Sequence, residues 1–571
     1  MNLPEFLKKT DAIAERLTKE QLSGMIHQIA RTLPEERRNE FLKLLCTTAE
    51  IQNPEQVTAQ EDSGFSEDLK TTVSQCLEKL KFIQRGTLCL ESDINYDYYD
   101  DYDNEEMAFL FEDPENILDI IRKSCESVHQ CVDATFWSEA YQLGKMILNL
   151  EVAVNGEYVD YVDSTMNISD LVSYELLPAC DILSDTLCAA YQALPMLERP
   201  AVFYALIQKS DCHGWKLEEL MQYTSQELTQ MPEFLSCWIS YLGNVKEQDA
   251  EQFLYEAVKL QNDAVCALYT AETFVIQHPG LFEQVMLMQK NDIDLLAVGR
   301  EALQKIHINY TIRGRIALMT ADCAFRLGMQ TEAEQFLIEA FRSDSTLENY
   351  FRILLESQEF MKYQPELYKI CTNVSCYEYE KTGYFPNLPE SLNQNYIRPD
   401  EYEFFTFLNG DFQAVLKKMQ KKQKSAFWEQ EFMKYGFAMF CLYLYPDTKL
   451  KRGCQYLCDH LKKHFHIPDE IIWKGLQKHR NLIPIPEEFK PELMQKLQNL
   501  LAFHTEQVME YNHRGQYQEC AAFAAALGEI LNSDGTDHAK QEFLLAYKTK
   551  YNRRTAFHRE LRAFGMKDGK K

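Results

Sequence analysis

Glycine and proline are scarce in this chain, with 21 and 18 residues out of 571. That scarcity disfavours all-β folds and sites built from glycine-rich loops. Long apolar runs are lacking too, because the longest, residues 436–445, falls far short of the roughly 20 residues of a membrane-spanning helix. The first residues contain no apolar stretch typical of a secretory signal. We therefore expect a cytoplasmic protein that does not enter a membrane.

Catalytic motifs are also lacking. The sequence has no phosphate-binding P-loop, no dinucleotide-binding glycine pattern, no Gly-x-Ser-x-Gly, no His-Glu-x-x-His and no Cys-x-x-Cys. Catalytic triads can assemble from distant positions, so a hydrolase or metalloprotein without a local motif stays open. The expectation is nevertheless a protein that is not an enzyme, with no catalytic residue, no cofactor and no metal ion.

Basic residues are outnumbered by acidic ones, 59 to 87, which gives a formal net charge of −28. Such a polyanion repels nucleic acids and anionic membranes unless its charges are segregated. Residues 540–571 carry the opposite sign, with ten Lys or Arg against three Asp or Glu. They form either a phosphate-contacting patch or a basic last helix that complements the helix dipole, and we favour the second interpretation. The possible basic patch comprises Lys548, Lys550, Arg553, Arg554, Arg559 and Arg562.

Apolar residues recur every three or four positions almost throughout, which predicts an all-α fold. We find no convincing strand between about 114 and 382. Breaks in composition divide the chain into five blocks. These are an N-terminal helical hairpin (1–50), a linker with a helix from about Leu69 to Gln84 and an acidic-tyrosine loop (51–113), a central helical-repeat array (114–382), a second repeat block (383–480) and a C-terminal helical block with a basic end (481–571).

A helix–turn–helix joint of the form Gly-x-x-x-x-Ala recurs in the sequence. Its copies run from Gly328 to Ala333 and, with another residue in place of the alanine, from Gly410 to Val415 and from Gly515 to Cys520. A fourth copy, from Thr135 to Ala140, has lost the glycine. Glycine ends a helix by adopting a left-handed backbone at little cost, and the small residue five positions later lets the next helix approach closely. The joint is typical of tetratricopeptide-like hairpins, but its spacing here is irregular. The sequence therefore predicts a degenerate α-solenoid or, alternatively, stacked helical bundles.

Residues 86–121 contain twelve acidic residues and no Lys or Arg. At their centre, carboxylates alternate with tyrosines. This run either binds a basic protein surface or is a solvated acidic loop, whereas the spacing of a calcium loop is absent. The candidate partner-binding residues are Tyr96, Tyr98, Tyr99, Asp100, Asp101, Tyr102 and Asp103.

Cysteines and histidines cluster at two places. Helical geometry puts Cys454 with Cys458 on one face and His460 with His464 on another, so the four cannot converge on one zinc ion. We expect a buried cysteine face beside a solvated histidine face. The other cluster, Cys125, His129 and Cys131, could supply two zinc ligands, with partners needed from elsewhere. The seventeen cysteines as a whole are predicted to be buried, reduced thiols.

Three segments resemble the helical-repeat region of bacterial SWIM-type zinc-finger proteins. They are residues 321–355, the joint at 407–412 and the closing residues 551–561, and the acidic-tyrosine run before a helical pair adds to the similarity. The finger itself requires a Cys-x-Cys pair followed by Cys-x-His, and the chain has no Cys-x-Cys. The resemblance therefore implies a helical scaffold without the metal-binding module, and it transfers no functional residue.

Together these observations favour a helical-repeat scaffold that binds a protein or peptide on a concave surface. Tyrosines near predicted turns are candidates to line that surface: Tyr363, Tyr368, Tyr377, Tyr379 and Tyr384. The alternative is an accessory nucleic-acid factor that uses the basic C-terminal helix.

Overall fold

A computed structural model describes residues 62–94, 109–156, 164–178, 181–210, 214–223, 228–374, 390–422, 431–533 and 538–567. Over those residues the protein is mostly helical, as the periodicity predicts, with 25 α-helices and four short strands. None of these helices has the length and apolarity that crossing a membrane requires. The predicted hairpin at 1–50 lies outside the described residues.

The fold divides into two compact units. The first comprises Met1–Leu242 with Glu256–Gln261, and the second comprises Gly243–Tyr255 with Asn262–Lys571. Helix α9 (Gln248–Gln261) contributes residues to both. The other described helices of the first unit are α1 (Asp62–Gln84), α2 (Ile117–Asp133), α3 (Trp137–Leu148), α4 (Ile168–Ser173), α5 (Ile182–Ala193), α6 (Arg199–Lys209), α7 (Leu217–Tyr223) and α8 (Met231–Leu242).

The first unit also holds a small mixed sheet with the strand order β2-β1-β3-β4. Its central strands pair in parallel, with Leu90 opposite Val154, and both edge strands are antiparallel to their neighbours. The buried side chains of Leu90, Val152, Val154 and Met166 form its inner face. The strands are β1 (Cys89–Ile94), β2 (Phe109–Glu112), β3 (Val152–Asn155) and β4 (Thr165–Met166).

This sheet corrects the prediction that no strand lies between 114 and 382, because β3 and β4 fall there. A strand of two to four residues has one or two inward positions, too few to show a period of two. The predicted helix of the second block was also too short. It begins at Asp62 rather than near Leu69, so the predicted linker ends seven residues earlier.

An aromatic cluster forms much of the core of the first unit. Phe203 of α6 contacts Phe234 of α8 at 5.1 Å between ring centroids, and Tyr191 of α5 contacts Phe234 at 5.2 Å. The Tyr191 hydroxyl donates a 2.8 Å hydrogen bond to the carbonyl oxygen of Thr229. These buried rings hold α5 in place, and α5 carries residues of the site described below.

The second unit is helical throughout its described residues, apart from short turns. Consecutive helices pack against one another through most of its length. They are α10 (Ala264–Thr273), α11 (Leu281–Met288), α12 (Asp292–Lys305), α13 (Thr311–Arg326), α14 (Gln330–Ser343), α15 (Leu347–Glu356), α16 (Phe360–Asn373), α17 (Pro399–Leu408), α18 (Phe412–Lys422), α19 (Glu431–Leu444), α20 (Arg452–Phe465), α21 (Asp469–Leu482), α22 (Lys490–Glu510), α23 (Tyr517–Ser533), α24 (Ala539–Lys550) and α25 (Thr555–Ala563).

Helix α23 is deeply buried in the second unit. Its alanine-rich segment 521–527 is fully buried, and small side chains allow α20 to approach closely. Glu529 of α23 is also fully buried, and it accepts hydrogen bonds from the backbone N–H groups of Gly453 (3.0 Å) and Cys454 (2.9 Å). It thereby satisfies donors at the start of α20 that lack a partner within that helix.

The predicted joints have the expected backbone at three of four positions. Gly328 and Gly410 adopt positive φ angles of 75° and 90°. Thr135 takes the same conformation, with φ 62°, although it is not glycine. The prediction is wrong at Gly515, which lies in a 3₁₀ turn, because Asn512 has already ended α22 with φ 57°. Asparagine tolerates this conformation better than other non-glycine residues do.

Candidate functional site

A cavity of about 470 Å³ opens in the first unit between α2, α5, the segment before α5 and the end of α7. Helix α2 supplies Arg122, Cys125, Glu126, His129 and Gln130, which share one face at helical spacing. The lining also includes Leu177, Pro178, Asp181, Ile182, Asp185 and Tyr223.

Asp185 is the buried polar centre of this cavity. Its side chain is only 5% exposed, and it accepts a 2.8 Å hydrogen bond from the hydroxyl of Tyr223. Nδ1 of His129 lies 3.1 Å from Oδ2 of Asp185. Nε2 of His129 lies 3.6 Å from a carboxylate oxygen of Asp133, so the imidazole stands between two carboxylates.

The guanidinium of Arg122 is already bound by carboxylates on its own helix. It donates to Glu126 at 3.0 Å and also to Asp119. Hydrogen bonds from Lys123 and Arg122 lower the pKa of Asp119 below its ordinary value. The positive charge at this side of the cavity is therefore largely neutralised.

The structure separates the members of the Cys125, His129 and Cys131 cluster. Cys125 and His129 line the cavity, whereas Cys131 lies in the core near Cys76, where burial raises the pKa of its thiol to about 11. In the described part of the chain, no three His, Cys, Asp or Glu side chains are grouped to hold a metal ion. The group that joins His129 is instead Asp185, distant in sequence.

The second cluster lies on α20 and is divided between two environments. Cys454 and Cys458 are buried, as expected. The expectation of a solvated histidine face is wrong for His464, whose side chain is 15% exposed. Its ring stacks on Tyr435 and its Nε2 contacts the Asp400 carboxylate. Helix α17, which carries Asp400, covers this face of α20, and the pattern of α20 alone could not reveal that.

The acidic-tyrosine candidates Tyr96, Tyr98, Tyr99, Asp100, Asp101, Tyr102 and Asp103 lie outside the described residues. Among the tyrosines expected to line a groove, Tyr363 is buried in the core of the second unit, so that expectation is wrong for it. Its i,i+4 spacing from Leu367, also buried, places both on the inner face of α16. Tyr368 is half-buried, and Tyr377, Tyr379 and Tyr384 lie outside the described residues.

The basic C-terminal candidates do not all share one role. Arg554 donates to the Asn512 side chain and to the carbonyl oxygen of Met509, both at 2.6 Å, and so caps the end of α22. Lys550 lies 3.6 Å from Glu506. Arg553, Arg559 and Arg562 are exposed and Lys548 is half-buried, with Arg559 bonded to Glu560.

Exposed apolar side chains are concentrated on α10, α11, α12 and the turn between α10 and α11, all in the second unit. Five side chains there are 66% to 79% exposed, and among the described residues Leu197 is the other large apolar residue exposed above 60%. Val265 and Tyr269 stand one turn apart on α10, which packs against α11, and α11 packs against α12. We name these five side chains, of which Ile276 lies in the turn after α10, the α10–α12 apolar face: Val265, Tyr269, Ile276, Leu287 and Ile293.

Sequence reasoning missed both Asp185 and the α10–α12 apolar face. Asp185 lies 56 residues from His129 and is the one charged residue of its helix, where a lone acid at an inward position was the available signal. No separate signal for the apolar face is present in the sequence, because periodicity does not show which apolar stripe of a helix a neighbouring helix covers. No protein-family model matches the sequence, and no curated protein matches it significantly.

Proposed function

We propose that this protein is a scaffold that binds a protein partner through the α10–α12 apolar face and performs no chemistry of its own. The concentration of exposed apolar side chains on this face carries the proposal. Folded proteins rarely leave large apolar patches open unless a partner covers them. Covering such area gains about 25 cal/mol per Å².

Charge around this face favours a basic partner. Residues 262–301 contain six Asp or Glu against two Lys or Arg. Four of the six acids, Glu272, Glu283, Asp292 and Glu301, form ion pairs with Lys305, Arg315 or Arg326. Asp263 and Asp294 supply the remaining negative charge. An amphipathic helix with an apolar stripe flanked by Lys and Arg complements the face in both respects.

We further propose that the helices of the second unit stack as a degenerate tetratricopeptide-like array, in keeping with the resemblance to the helical region of SWIM-type proteins. The left-handed joints at Gly328 and Gly410 support this arrangement. At Gly328, Met329 N–H donates to the carbonyl oxygen of Ala324 at 2.9 Å, which closes the helix end before α14 begins. Repeat arrays present extended surfaces on which protein segments dock.

The experiment measures binding of model helices to the full chain by fluorescence anisotropy. The probes are two labelled peptides with the same leucine stripe, one flanked by lysines and one by glutamates. We expect the lysine peptide to bind and the glutamate peptide to bind at least tenfold more weakly. Combining Val265→Ser, Tyr269→Ser and Ile293→Ser should weaken binding of the lysine peptide at least tenfold.

A matched control uses Leu197→Ser, since Leu197 is 84% exposed but belongs to the first unit and not to the α10–α12 apolar face. This variant should bind the lysine peptide like the parent chain. Equal binding of the two peptides, or unchanged binding by the triple variant, would contradict the proposal. Self-association that is lost in the triple variant would show that a second copy covers the face, and would overturn the assignment of a different partner.

A further inference from the structure

We infer that the cavity of the first unit binds a small organic cation, a primary ammonium or guanidinium on a short apolar chain. The inference is independent of the proposed function, because the cavity and the α10–α12 apolar face share no residue. The cavity includes two residues of a predicted metal cluster, Cys125 and His129, but its lining favours a different ligand.

Size and polarity of the cavity suit such a molecule. Its volume of about 470 Å³ falls within the range of about 300–1,000 Å³ found for small-molecule sites. Leu177, Pro178 and Ile182 form an apolar wall. An alkyl chain can lie against this wall while its charged end reaches Asp185.

The charge of the lining favours a cation in either protonation state of His129. The lining holds the carboxylates Glu126, Asp181 and Asp185 and the guanidinium of Arg122, a net charge of −2, or −1 when His129 is protonated. The Arg122 guanidinium is bound by Glu126 and Asp119. An anionic ligand would be repelled by the net negative charge of the lining, because like charges at short distance are strongly unfavourable.

Asp185 provides the anchor for the cationic group. A carboxylate has about four acceptor positions, and the hydroxyl of Tyr223 and the imidazole of His129 occupy two. The remaining positions can accept N–H donors from a ligand. Charge-assisted hydrogen bonds to a nearly buried carboxylate are among the stronger polar contacts.

Calorimetric titration of the full chain with pentylamine tests the inference, with pentanol and hexanoate as matched neutral and anionic probes. We expect saturable binding of pentylamine and at least tenfold weaker binding of the other two. Asp185→Asn should weaken pentylamine binding at least tenfold. Asp181→Asn should weaken pentylamine binding severalfold. We expect this variant to fold like the parent, because the Asp181 side chain makes no capping hydrogen bond to α5.

Glu359→Gln removes an exposed carboxylate far from this cavity in sequence and should leave binding unchanged. Alkylation of Cys125, followed by mass spectrometry, should slow when pentylamine is present, which locates the ligand. Agmatine and a blocked Gly-Lys-Gly tripeptide then distinguish a free amine from a protein side chain as the source of the cation. Tighter binding of either supports the inference.

Three results would overturn the inference. One is the absence of pentylamine binding, and another is equal binding of hexanoate. The third is an unchanged affinity of the Asp181→Asn variant for pentylamine. This result contradicts the inference even if the Asp185→Asn variant does not fold.

Discussion

The hydroxyl of Tyr443 lies 2.7 Å from Nδ1 of His479 and donates its proton to the carbonyl oxygen of Ile483 at 2.6 Å. Since a hydroxyl has one proton, Nδ1 of His479 must be the donor to Tyr443. Nε2, 3.2 Å from the hydroxyl of Tyr350, is then an acceptor. Both nitrogens of a neutral, fully buried imidazole are thus satisfied in the core of the second unit.

This arrangement predicts an acid-sensitive stability. Burial lowers the pKa of His479 from 6.5 to about 4. The folded state therefore favours the neutral ring, so the stabilisation is complete above pH 6.5 and is lost as the pH falls towards 4. We expect a loss of up to about 3 kcal/mol in the free energy of unfolding, measured by chemical denaturation across this range.

The variant His479→Gln should be less stable at pH 7.5 and should show a shallower decline between pH 6.5 and 4.5. His307→Gln, which removes an exposed histidine of the same unit, should keep the parent slope. If His479→Gln declines as steeply as the parent, another group titrates there.

Close packing of α20 on α23 predicts that Gly453→Ala is strongly destabilising. A Cβ at Gly453 would overlap the backbone nitrogen of Ala526 and lie 2.7 Å from the carbonyl carbon of Ala525. Backbone atoms cannot move aside as a flexible side chain can, so the two helices must separate. We expect a loss of about 3 kcal/mol, measured by thermal or chemical unfolding.

Gly515→Ala is the matched control, because no atom lies within 4 Å of its Cβ position and its φ is not positive. Its stability should stay within about 0.5 kcal/mol of the parent. Comparable losses in the free energy of unfolding of the two variants would mean that α20 and α23 leave room for a methyl group at Gly453.

The buried carboxylate of Glu529 predicts a large effect of Lys540. Nζ of Lys540 lies 2.6 Å from Glu529, whose side chain is fully buried, while the Lys540 side chain is 18% exposed. Lys540→Met removes this charge and leaves the carboxylate with its backbone donors. We expect a loss of about 3 kcal/mol in the free energy of unfolding.

Lys490→Met serves as the comparison, since its partner Glu487 is 83% exposed. Surface ion pairs of this kind contribute about 0–1 kcal/mol. A loss for Lys540→Met no larger than that for Lys490→Met would show that water reaches Glu529.

The C-terminal cations predict no detectable affinity for nucleic acid. Arg554 is committed to the end of α22 and Lys550 is near Glu506, so the six candidates do not act as one phosphate-binding set. A titration with mixed DNA and RNA at about 50 and 200 mM salt checks this, because phosphate contacts weaken steeply with salt. Tight, salt-sensitive binding that Arg553→Ala with Arg559→Ala removes would favour the nucleic-acid alternative instead.

The helical fold class and the backbone conformation of most joints could be predicted from the sequence, because both depend on residues close together in the chain. Gly328 and Gly410 end their helices as a local rule requires, whereas Thr135 and Asn512 show that other residues can take that conformation. The sheet could not be predicted, since its strands are too short to show alternation and pair across long separations. One side of the cavity could be predicted, because the i,i+4 spacing of Cys125 and His129 places both on one face of a helix. The contact of His129 with Asp185 could not, because tertiary packing brings the two together.

Nine of the thirteen described cysteines are buried, and none of the thirteen forms a disulfide. Burial raises the pKa of Cys458 to about 12, so the thiol resists alkylation while its helix stays packed. Cys266, in contrast, is exposed on α10. A thiol reagent should therefore label Cys266 in the folded protein, whereas each buried thiol reacts only when its helix opens. The labelling rates of the individual cysteines then report the order in which the helices unfold.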